Sequence, residues 1–241
     1  MHSSEAGKVA RDTSEVTRGN VVQATRAATS AAGPTSFSRV DAGLADPSVT
    51  REVSTVSHDP TALPADLPAP EDDGAADHLR GATVPALDLV ATSGGTVDLR
   101  ARSAGRRLVV FAYPRTGQPG VDPPIGWDDI PGARGCTPEA CAFRDLNSEF
   151  TAAGAELFGL STQDPAYQLE SATRLRLPYP LLSDADLQLT RALRLPTFHV
   201  EGMTLLRRLT MVIRDGAVEH VLYPVWPADQ AAGASLAALK R

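Results

Sequence analysis

The sequence predicts an α/β fold, a sandwich in which helices flank a central mixed β-sheet. From residue 80 onward, short apolar segments typical of strands alternate with helical segments, which is the pattern of α/β proteins. The segment RRLVVFAY (106–113) is an almost continuous apolar run, as expected for a strand buried in the middle of a sheet. The last two predicted strands meet at Asp215-Gly216, a tight-turn dipeptide that makes them an antiparallel pair.

The first predicted elements are a hairpin, the central strand, a long loop and a helix. The segments ATVPALDLVA (82–91) and TVDLR (96–100) flank Ser93-Gly94-Gly95, which predicts the hairpin. The segment 114–134 is rich in proline and glycine and is predicted to be loop. A helix begins near Thr137-Pro138-Glu139, because this tripeptide supplies a hydroxyl cap, a proline suited to the first turn and an acidic group near the positive end of the helix.

The remaining elements continue the alternation of strands and helices. In chain order they are a strand at 155–162, a helix at 165–176, a short strand at 179–184, a helix at 186–194, strands at 205–216 and 217–225, and a C-terminal helix.

The N-terminal quarter of the chain differs in composition from the rest. Of the 12 aromatic residues, only Phe37 precedes residue 111. Residues 1–60 therefore have too little apolar surface for a core, and we expect a disordered extension or a start codon placed too far upstream. A transit peptide fits less well, since this segment contains acidic residues. The predicted organisation is a disordered extension (1–60), a Pro-rich lead-in (61–79) and a folded domain (80–241).

Composition also limits the classes of function. The formal net charge of −6 argues against a nucleic-acid partner, because phosphate binding needs a basic surface. The chain has no apolar run of membrane-spanning length and no apolar signal core near its N-terminus, so the expected location is the cytoplasm. Two cysteines are too few for a disulfide-rich secreted scaffold.

Both cysteines, Cys136 and Cys141, lie in the segment GARGCTPEACAFRD (132–145). Phe143, Leu146 and Phe150 share one helical face, which we expect to be buried, and Cys141 lies on the opposite side of the helix. Cys136 lies at the helix entrance, where free backbone N–H groups and the helix dipole favour a thiolate. The nearby positive charge of Arg134 would have the same effect.

The close spacing of the two cysteines allows several interpretations. Two unrelated cysteines can occur on one helix by chance. A structural zinc site needs four ligands, and the five histidines show no paired spacing. A hydrolase pair of Cys136 with His199 or His220 has no supporting pattern. Thiol redox chemistry is the remaining interpretation.

The segment GCTPEACAFRD (135–145) resembles the active-site segment of peroxiredoxins of the bacterioferritin comigratory protein type, also called peroxiredoxin Q. The resemblance covers roughly residues 80–235 and implies a thioredoxin-like fold and hydroperoxide reduction. Further similar motifs follow in the same order along the chain: the opening strand PALDL, then VVFAYP, GLSTQD, YPLLSDAD and RRLTMVIRDG.

The resemblance implies a role for three residues. Cys136 matches the peroxidatic cysteine, whose thiolate attacks the peroxide and becomes a sulfenic acid, and Cys141 matches the resolving cysteine, which then forms an intramolecular disulfide. Arg208 matches an arginine that stabilises the thiolate and polarises the peroxide, whereas Arg207 is expected to be an ordinary solvated arginine. No metal or organic cofactor is implied. The expected partners are a hydroperoxide and thioredoxin or a similar dithiol reductant, and the expected state is a monomer or homodimer.

The chain departs from the family pattern in the loop before Cys136. The family carries a hydroxyl residue three positions before this cysteine, where the chain has Ala133. Pro114 matches the family proline, so the loop carries about fifteen extra residues. We expect Thr116 to supply the missing hydroxyl; the alternatives are that Thr137 supplies it or that no residue does.

Two other functions remain as alternatives to a peroxidase. One is a thiol–disulfide oxidoreductase on the same fold, which would usually carry Cys-x-x-Cys. The other is a non-catalytic redox sensor or binding module. If both cysteines lie in regular helix, their Cα atoms are roughly 8 to 9 Å apart, beyond the 4.4 to 6.8 Å of a disulfide. We therefore expect the helix to unwind on oxidation.

Overall fold

The computed structural model of the chain describes residues 66–240. The predicted disordered extension, residues 1–60, lies outside the described residues, as does the beginning of the predicted lead-in at 61–79. In the described part of that lead-in, Ala76 and Leu79 are buried in the core of the domain that follows. The domain boundaries stay a prediction.

The described residues form nine strands. They are β1 (Asp88–Ala91), β2 (Thr96–Asp98), β3 (Arg107–Ala112), β4 (Ala155–Ser161), β5 (Leu181–Ser183), β6 (Thr197–Val200), β7 (Met203–Leu206), β8 (Leu209–Arg214) and β9 (Ala217–Leu222).

Six α-helices and three 3-10 helices accompany these strands in the same part of the chain. The α-helices are α1 (Leu99–Arg102), α2 (Cys136–Asp145), α3 (Asn147–Ala152), α4 (Pro165–Leu175), α5 (Gln188–Leu193) and α6 (Ala231–Ala238). The 3-10 helices are Asp77–Leu79, Trp127–Asp129 and Ala228–Gln230. None of the helices in residues 66–240 has the length and apolar character needed to cross a membrane.

Seven strands form one mixed sheet in the order β2-β1-β5-β4-β3-β8-β9. The strand β3 pairs in parallel with β4 and antiparallel with β8, which places it near the centre. The predicted sheet, its helices on both faces and both predicted hairpins are confirmed. At the second hairpin, Asp215 and Gly216 both have positive φ, at 49° and 77°, as a tight turn between twisted strands requires.

The strand β3 lies between two hydrophobic cores. Leu108 and Val110 contribute to one core together with α1 and α5, whereas Val109 and Phe111 contribute to the other together with α2, α3 and α6. Successive side chains of a strand point to opposite faces of the sheet, so burial on both faces requires apolar residues at every position. This is why the strand appears in the sequence as one continuous apolar run.

Aromatic stacking fixes α2 on the sheet. The ring of Phe143 stacks on that of Phe111 with centroids 4.1 Å apart and an interplanar angle of 9°. Phe150 packs against Phe143 at 5.7 Å, and all three rings are fully buried. Phe143, Leu146 and Phe150 pack against the same core, as predicted, although they do not lie on one continuous helix. The stack places the first turn of α2 beside the end of β3, where the chain continues into the long loop.

Three local predictions were wrong. The predicted strand 205–216 is divided into β7 and β8, because Arg208 lies between them and its guanidinium bonds to the start of α2. The strand β7 pairs with β6 in a separate two-stranded sheet. The helix is interrupted at Leu146, which has φ −100° and ψ 10° and separates α2 from α3. Thr137 does not cap α2, since the capping position is Gly135, whose φ of 103° favours glycine.

Candidate active site

Cys136 is the first residue of α2 and is almost fully buried, with 3% of its surface exposed. Its thiol points back toward the preceding loop, where the Sγ donates to the carbonyl oxygen of Ala133 at 3.6 Å. The left-handed conformation of Gly135 produces the sharp entry into the helix. The sulfur therefore lies at the N-terminal end of a helix and at the end of the central strand.

Arg208 reaches this sulfur from the break between β7 and β8. Its Nη2 lies 3.3 Å from the Sγ of Cys136 and also donates to the carbonyl oxygens of Arg134 and Gly132, at 3.0 and 3.3 Å. The arginine is buried, whereas Arg207 beside it is only half-buried. The structure thus brings Cys136 and Arg208 together, as the resemblance implied.

Arg134 contributes to the site in a way the sequence did not indicate. Its guanidinium forms an ion pair with Asp128 in the long loop, and its backbone carbonyl accepts the bond from Arg208. This arrangement joins the loop before Cys136 to the arginine that contacts the sulfur.

Glu139 is a site residue that the sequence analysis missed. Its carboxylate is completely buried and forms an ion pair with Nη1 of Arg208. The available signal was its position three residues after Cys136, which puts both side chains on one helical face. Burial raises the pKa of Glu139 to about 7, although the charge of Arg208 and the hydrogen bond from it oppose this rise.

The electrostatics at Cys136 contain opposing effects. Burial raises the pKa of its thiol, the positive charge of Arg208 lowers it, and the negative charge of Glu139 raises it. Hydrogen bonds from the backbone N–H of Arg115 and from Arg208 also lower it. Burial is the largest of these effects, so the pKa of the Cys136 thiol lies above its ordinary value, although the helix entrance was expected to favour the thiolate. Protonation of Glu139 removes one of the two effects that oppose the thiolate.

Cys141 lies in the same helix as Cys136, and both are free thiols. Cys136 is buried and Cys141 is half-buried, as expected for side chains on different faces of α2. Between the two cysteines, the backbone carbonyl oxygen of Ala140 accepts a hydrogen bond from the hydroxyl of Tyr179 at 2.6 Å. The structure does not bring the two sulfurs into bonding contact.

A pocket that is open to solvent adjoins Cys136. Thr116 and Thr137 both line it. The hydroxyl of Thr116 is fully buried, donates to Oε1 of Gln163 at 3.2 Å and contacts Oγ of Ser171 at 2.8 Å. The hydroxyl of Thr137 has no hydrogen-bond partner in the described residues. The assignment of Thr116 to peroxide binding stays a prediction.

The extra residues of the long loop form part of the pocket wall. Trp127 is buried and packs against Phe198 of β6 with ring centroids 6.0 Å apart. The backbone N–H of Ile125 donates to the carboxylate of Glu201 in the β6–β7 turn at 3.0 Å. The insertion is thus anchored on the small hairpin β6–β7.

The histidines considered in the sequence lie on the strands β6 and β9. His199 is exposed and its Nδ1 contacts the hydroxyl of Thr204, whereas His220 is half-buried. Over residues 66–240, neither forms a hydrogen bond with Cys136, and no group of three or more His, Cys, Asp and Glu side chains is placed to hold a metal ion.

A mixed sheet flanked by helices, with a buried cysteine at a helix N-terminus beside a buried arginine, defines a thioredoxin-like fold with a cysteine–arginine site. The Redoxin family model matches residues 79–235, more than half of the sequence, and the chain therefore belongs to the Redoxin family. It is homologous to the peroxiredoxin Q proteins, which confirms the resemblance of its cysteine segment.

Three relatives illustrate this similarity. Chloroplastic peroxiredoxin Q of Gentiana triflora is 34% identical over 144 residues, which are 60% of this chain and 58% of the relative. The structure of peroxidoxin BcpB from Mycobacterium tuberculosis is 30% identical with a TM-score of 0.54, covering 67% of this chain and 96% of that one. The bacterioferritin comigratory protein of Xanthomonas campestris, which has alkyl peroxide reduction activity, is 27% identical with a TM-score of 0.50, covering 73% and 98%.

Proposed function

We propose that the protein is a thiol-dependent peroxidase that reduces hydrogen peroxide or organic hydroperoxides. The observation that carries this proposal is the 3.3 Å contact between Nη2 of Arg208 and Sγ of Cys136. A buried guanidinium at this distance stabilises a thiolate, and its N–H groups can also bind the peroxide oxygens on which negative charge develops. The alkyl peroxide reduction activity of the Xanthomonas campestris relative supports the same reaction.

In the first step the Cys136 thiolate attacks the terminal oxygen of the hydroperoxide. The O–O bond breaks and an S–O bond forms, so the sulfur is oxidised to sulfenic acid while the peroxide is reduced. The leaving alkoxide takes up one proton and departs as an alcohol, or as water when the substrate is hydrogen peroxide. Arg208 compensates the negative charge on the sulfur and on the separating oxygens.

In the second step the Cys141 thiol condenses with the sulfenic acid, giving a disulfide and one molecule of water. Both cysteines lie in α2, so this step requires the helix to open between them. Thioredoxin or a similar dithiol then reduces the disulfide and is itself oxidised to a disulfide. Each catalytic cycle thus consumes one hydroperoxide and one dithiol.

A coupled assay tests this function. The full chain is mixed with hydrogen peroxide or cumene hydroperoxide and with reduced thioredoxin as donor, and both consumption rates are measured. We expect equal rates of peroxide and dithiol consumption. Reduction of protein disulfides without peroxide consumption would indicate a thiol–disulfide oxidoreductase. Stoichiometric oxidation without turnover by any dithiol would indicate a redox sensor.

A further inference from the structure

The described part of the lead-in, residues 66–79, contacts the turn that precedes Cys136. If Gly132 carried a Cβ, that atom would lie 3.3 Å from Cγ of Pro70 and 3.6 and 3.8 Å from two further carbons of the same ring. The proline ring therefore packs directly on the backbone at Gly132. Pro70 precedes residue 79, where the match to the Redoxin family begins, so this contact lies outside the part of the chain that the family model covers.

The lead-in is fixed to the domain beyond Pro70. Ala76 and Leu79 are buried in the core. Between them and the proline, the carboxylate of Asp73 accepts a hydrogen bond from the hydroxyl of Tyr223 at 2.8 Å. Pro70 adds stiffness of its own, because its ring fixes φ and restricts the preceding residue to extended backbone. These contacts hold the Pro70 ring at a defined place against the turn.

The turn at Gly132 depends on contacts from outside itself. Gly132 and Gly135 both have positive φ, at 75° and 103°. Glycine has more conformational freedom than any other residue, so a turn that contains two of them is weakly held by its own backbone. Ala133 between them is buried in the small cluster that contains Trp127. The Pro70 ring supplies the packing contact at Gly132.

Gly132 connects this packing contact to the reactive sulfur. Its carbonyl oxygen accepts from Nη2 of Arg208 at 3.3 Å, and the same nitrogen lies 3.3 Å from Sγ of Cys136. Nη2 also donates to the carbonyl oxygen of Arg134 at 3.0 Å, in the same turn. The carbonyl groups of the turn thus set where this nitrogen lies. Hydrogen bonds weaken steeply as their geometry worsens, so a displaced turn would weaken the contact with the sulfur.

We propose that Pro70 is a positioning residue for Arg208: its ring holds the Gly132 turn, whose carbonyl oxygen keeps Nη2 of the arginine against the Cys136 sulfur. Pro70 is not among the residues that line the pocket beside Cys136, so it acts through the arginine and not on the peroxide. The kinetic consequence of this inference rests on the proposed function, whereas its consequence for the thiolate does not.

Replacing the proline ring tests this inference. Pro70→Ala should lower kcat/KM for hydrogen peroxide about three- to fivefold, because a small displacement of a stabilising group weakens its interaction with the transition state. It should also raise the pKa of the Cys136 thiol, since the guanidinium then stabilises the thiolate less. Thiolate absorbance against pH, in the Cys141→Ser background, measures this rise. Pro68→Ala makes the same change at a half-buried proline of the lead-in and should alter neither quantity.

Hydrogen exchange checks whether the ring holds the turn. The backbone N–H of Ala133 donates to the carbonyl oxygen of Ile130 at 3.1 Å, so its exchange rate reports the state of the turn. Exchange at Ala133 should be faster in Pro70→Ala than in the wild type and in Pro68→Ala. An unchanged rate in Pro70→Ala would overturn the inference, because the turn would then be held without the ring.

A double-mutant cycle separates positioning of Arg208 from a general loss of structure. In the Arg208→Met background, Pro70→Ala should have no further effect on kcat/KM or on the pKa of Cys136, because the group that it positions is gone. A loss by the same factor with and without Arg208 would overturn the inference, as would a Pro70→Ala variant that matches the wild type in both quantities.

The same variants distinguish this inference from the proposed function. A protein that consumes no peroxide with any dithiol would contradict the peroxidase proposal alone. The pKa of Cys136 would then still decide the role of Pro70: a rise on Pro70→Ala that disappears in Arg208→Met supports it, and a rise that persists there overturns it.

Discussion

Arg208 and Cys136 are separated by 72 residues in the chain, yet Nη2 of the arginine lies 3.3 Å from the cysteine sulfur. Two features of the fold produce this contact. The pairing of β3 with β8 places the start of β8 beside the end of β3, with Ala112 opposite Leu209. The Phe111–Phe143 stack then holds the start of α2 at the same end of the sheet.

Replacing Arg208 tests its contribution to catalysis. Arg208→Met should lower kcat/KM for peroxide by about 10² to 10³, the usual effect of losing a preorganised donor at developing negative charge. It should also raise the pKa of Cys136, measured as thiolate absorbance against pH in the Cys141→Ser background. Arg207→Met is the matched control and should change neither quantity appreciably, because Arg207 is outside the contacts to the sulfur. Equal effects of Arg208→Met and Arg207→Met would show that the loss of kcat/KM comes from removing a positive charge, whichever arginine carries it.

The buried Glu139 should make stability depend on pH. Its pKa in the folded protein is about 7, above its ordinary value of 4.5, so the folded state binds the extra proton. The contribution of Glu139 to the free energy of unfolding should therefore be fully present at and below about pH 4.5. It should decrease as the pH rises to about 7, by up to about 3 kcal/mol. Glu139→Gln should remove this decline. Denaturant unfolding at several pH values measures this decline. The assignment would be contradicted if the free energy of unfolding changed with pH in the same way for the wild type and for Glu139→Gln.

The aromatic stack should account for much of the anchoring of α2. Phe143 is fully buried, so Phe143→Ala should lower the free energy of unfolding by about 3 to 5 kcal/mol. Leu169→Ala, at a side chain that is 50% exposed, serves as the control and should have a much smaller effect. Urea unfolding checks both. A loss below about 1 kcal/mol for Phe143→Ala would show that the helix is held by other contacts.

Oxidation should unwind the first turns of α2. Both cysteines lie within this helix, where residues five apart are too distant for a disulfide. Hydrogen exchange should therefore increase across residues 136–146 in the disulfide form, while β3 stays protected. The bond from Tyr179 to Ala140 must rearrange, so Tyr179→Phe should speed disulfide formation after sulfenic acid appears. Equal exchange in both redox forms, with the disulfide verified by mass, would contradict the need to unwind.

Much of the architecture was predictable because it depends on local patterns. The apolar run of β3, the two hairpin turns and the Phe143–Phe150 face are encoded in neighbouring residues, and the structure confirms them. The Glu201-Gly202 turn of the β6–β7 hairpin offered a weaker signal of the same type. The cytoplasmic location and the oligomeric state stay predictions.

The site was less predictable because its interactions connect distant segments. Glu139 looks like an ordinary first-turn acid until Arg208, from another element, is placed against it. The direction of the pKa shift at Cys136 depends on burial, which the helix position alone does not give. Arg208 was assigned to the site from the family motif. The break in its strand depends on its contacts with the start of α2, which strand propensity does not predict.

The central claim is that Cys136 attacks the peroxide and Cys141 resolves the sulfenic acid, and single-turnover mass spectrometry of two variants tests it most directly. Cys141→Ser, treated with one equivalent of peroxide, should consume that equivalent and gain the mass of one oxygen. In a parallel sample with dimedone, the adduct should form at Cys136. Cys136→Ser should consume none and gain no mass. The account would be contradicted if Cys136→Ser consumed peroxide at the wild-type rate, or if dimedone labelled Cys141 in Cys136→Ser.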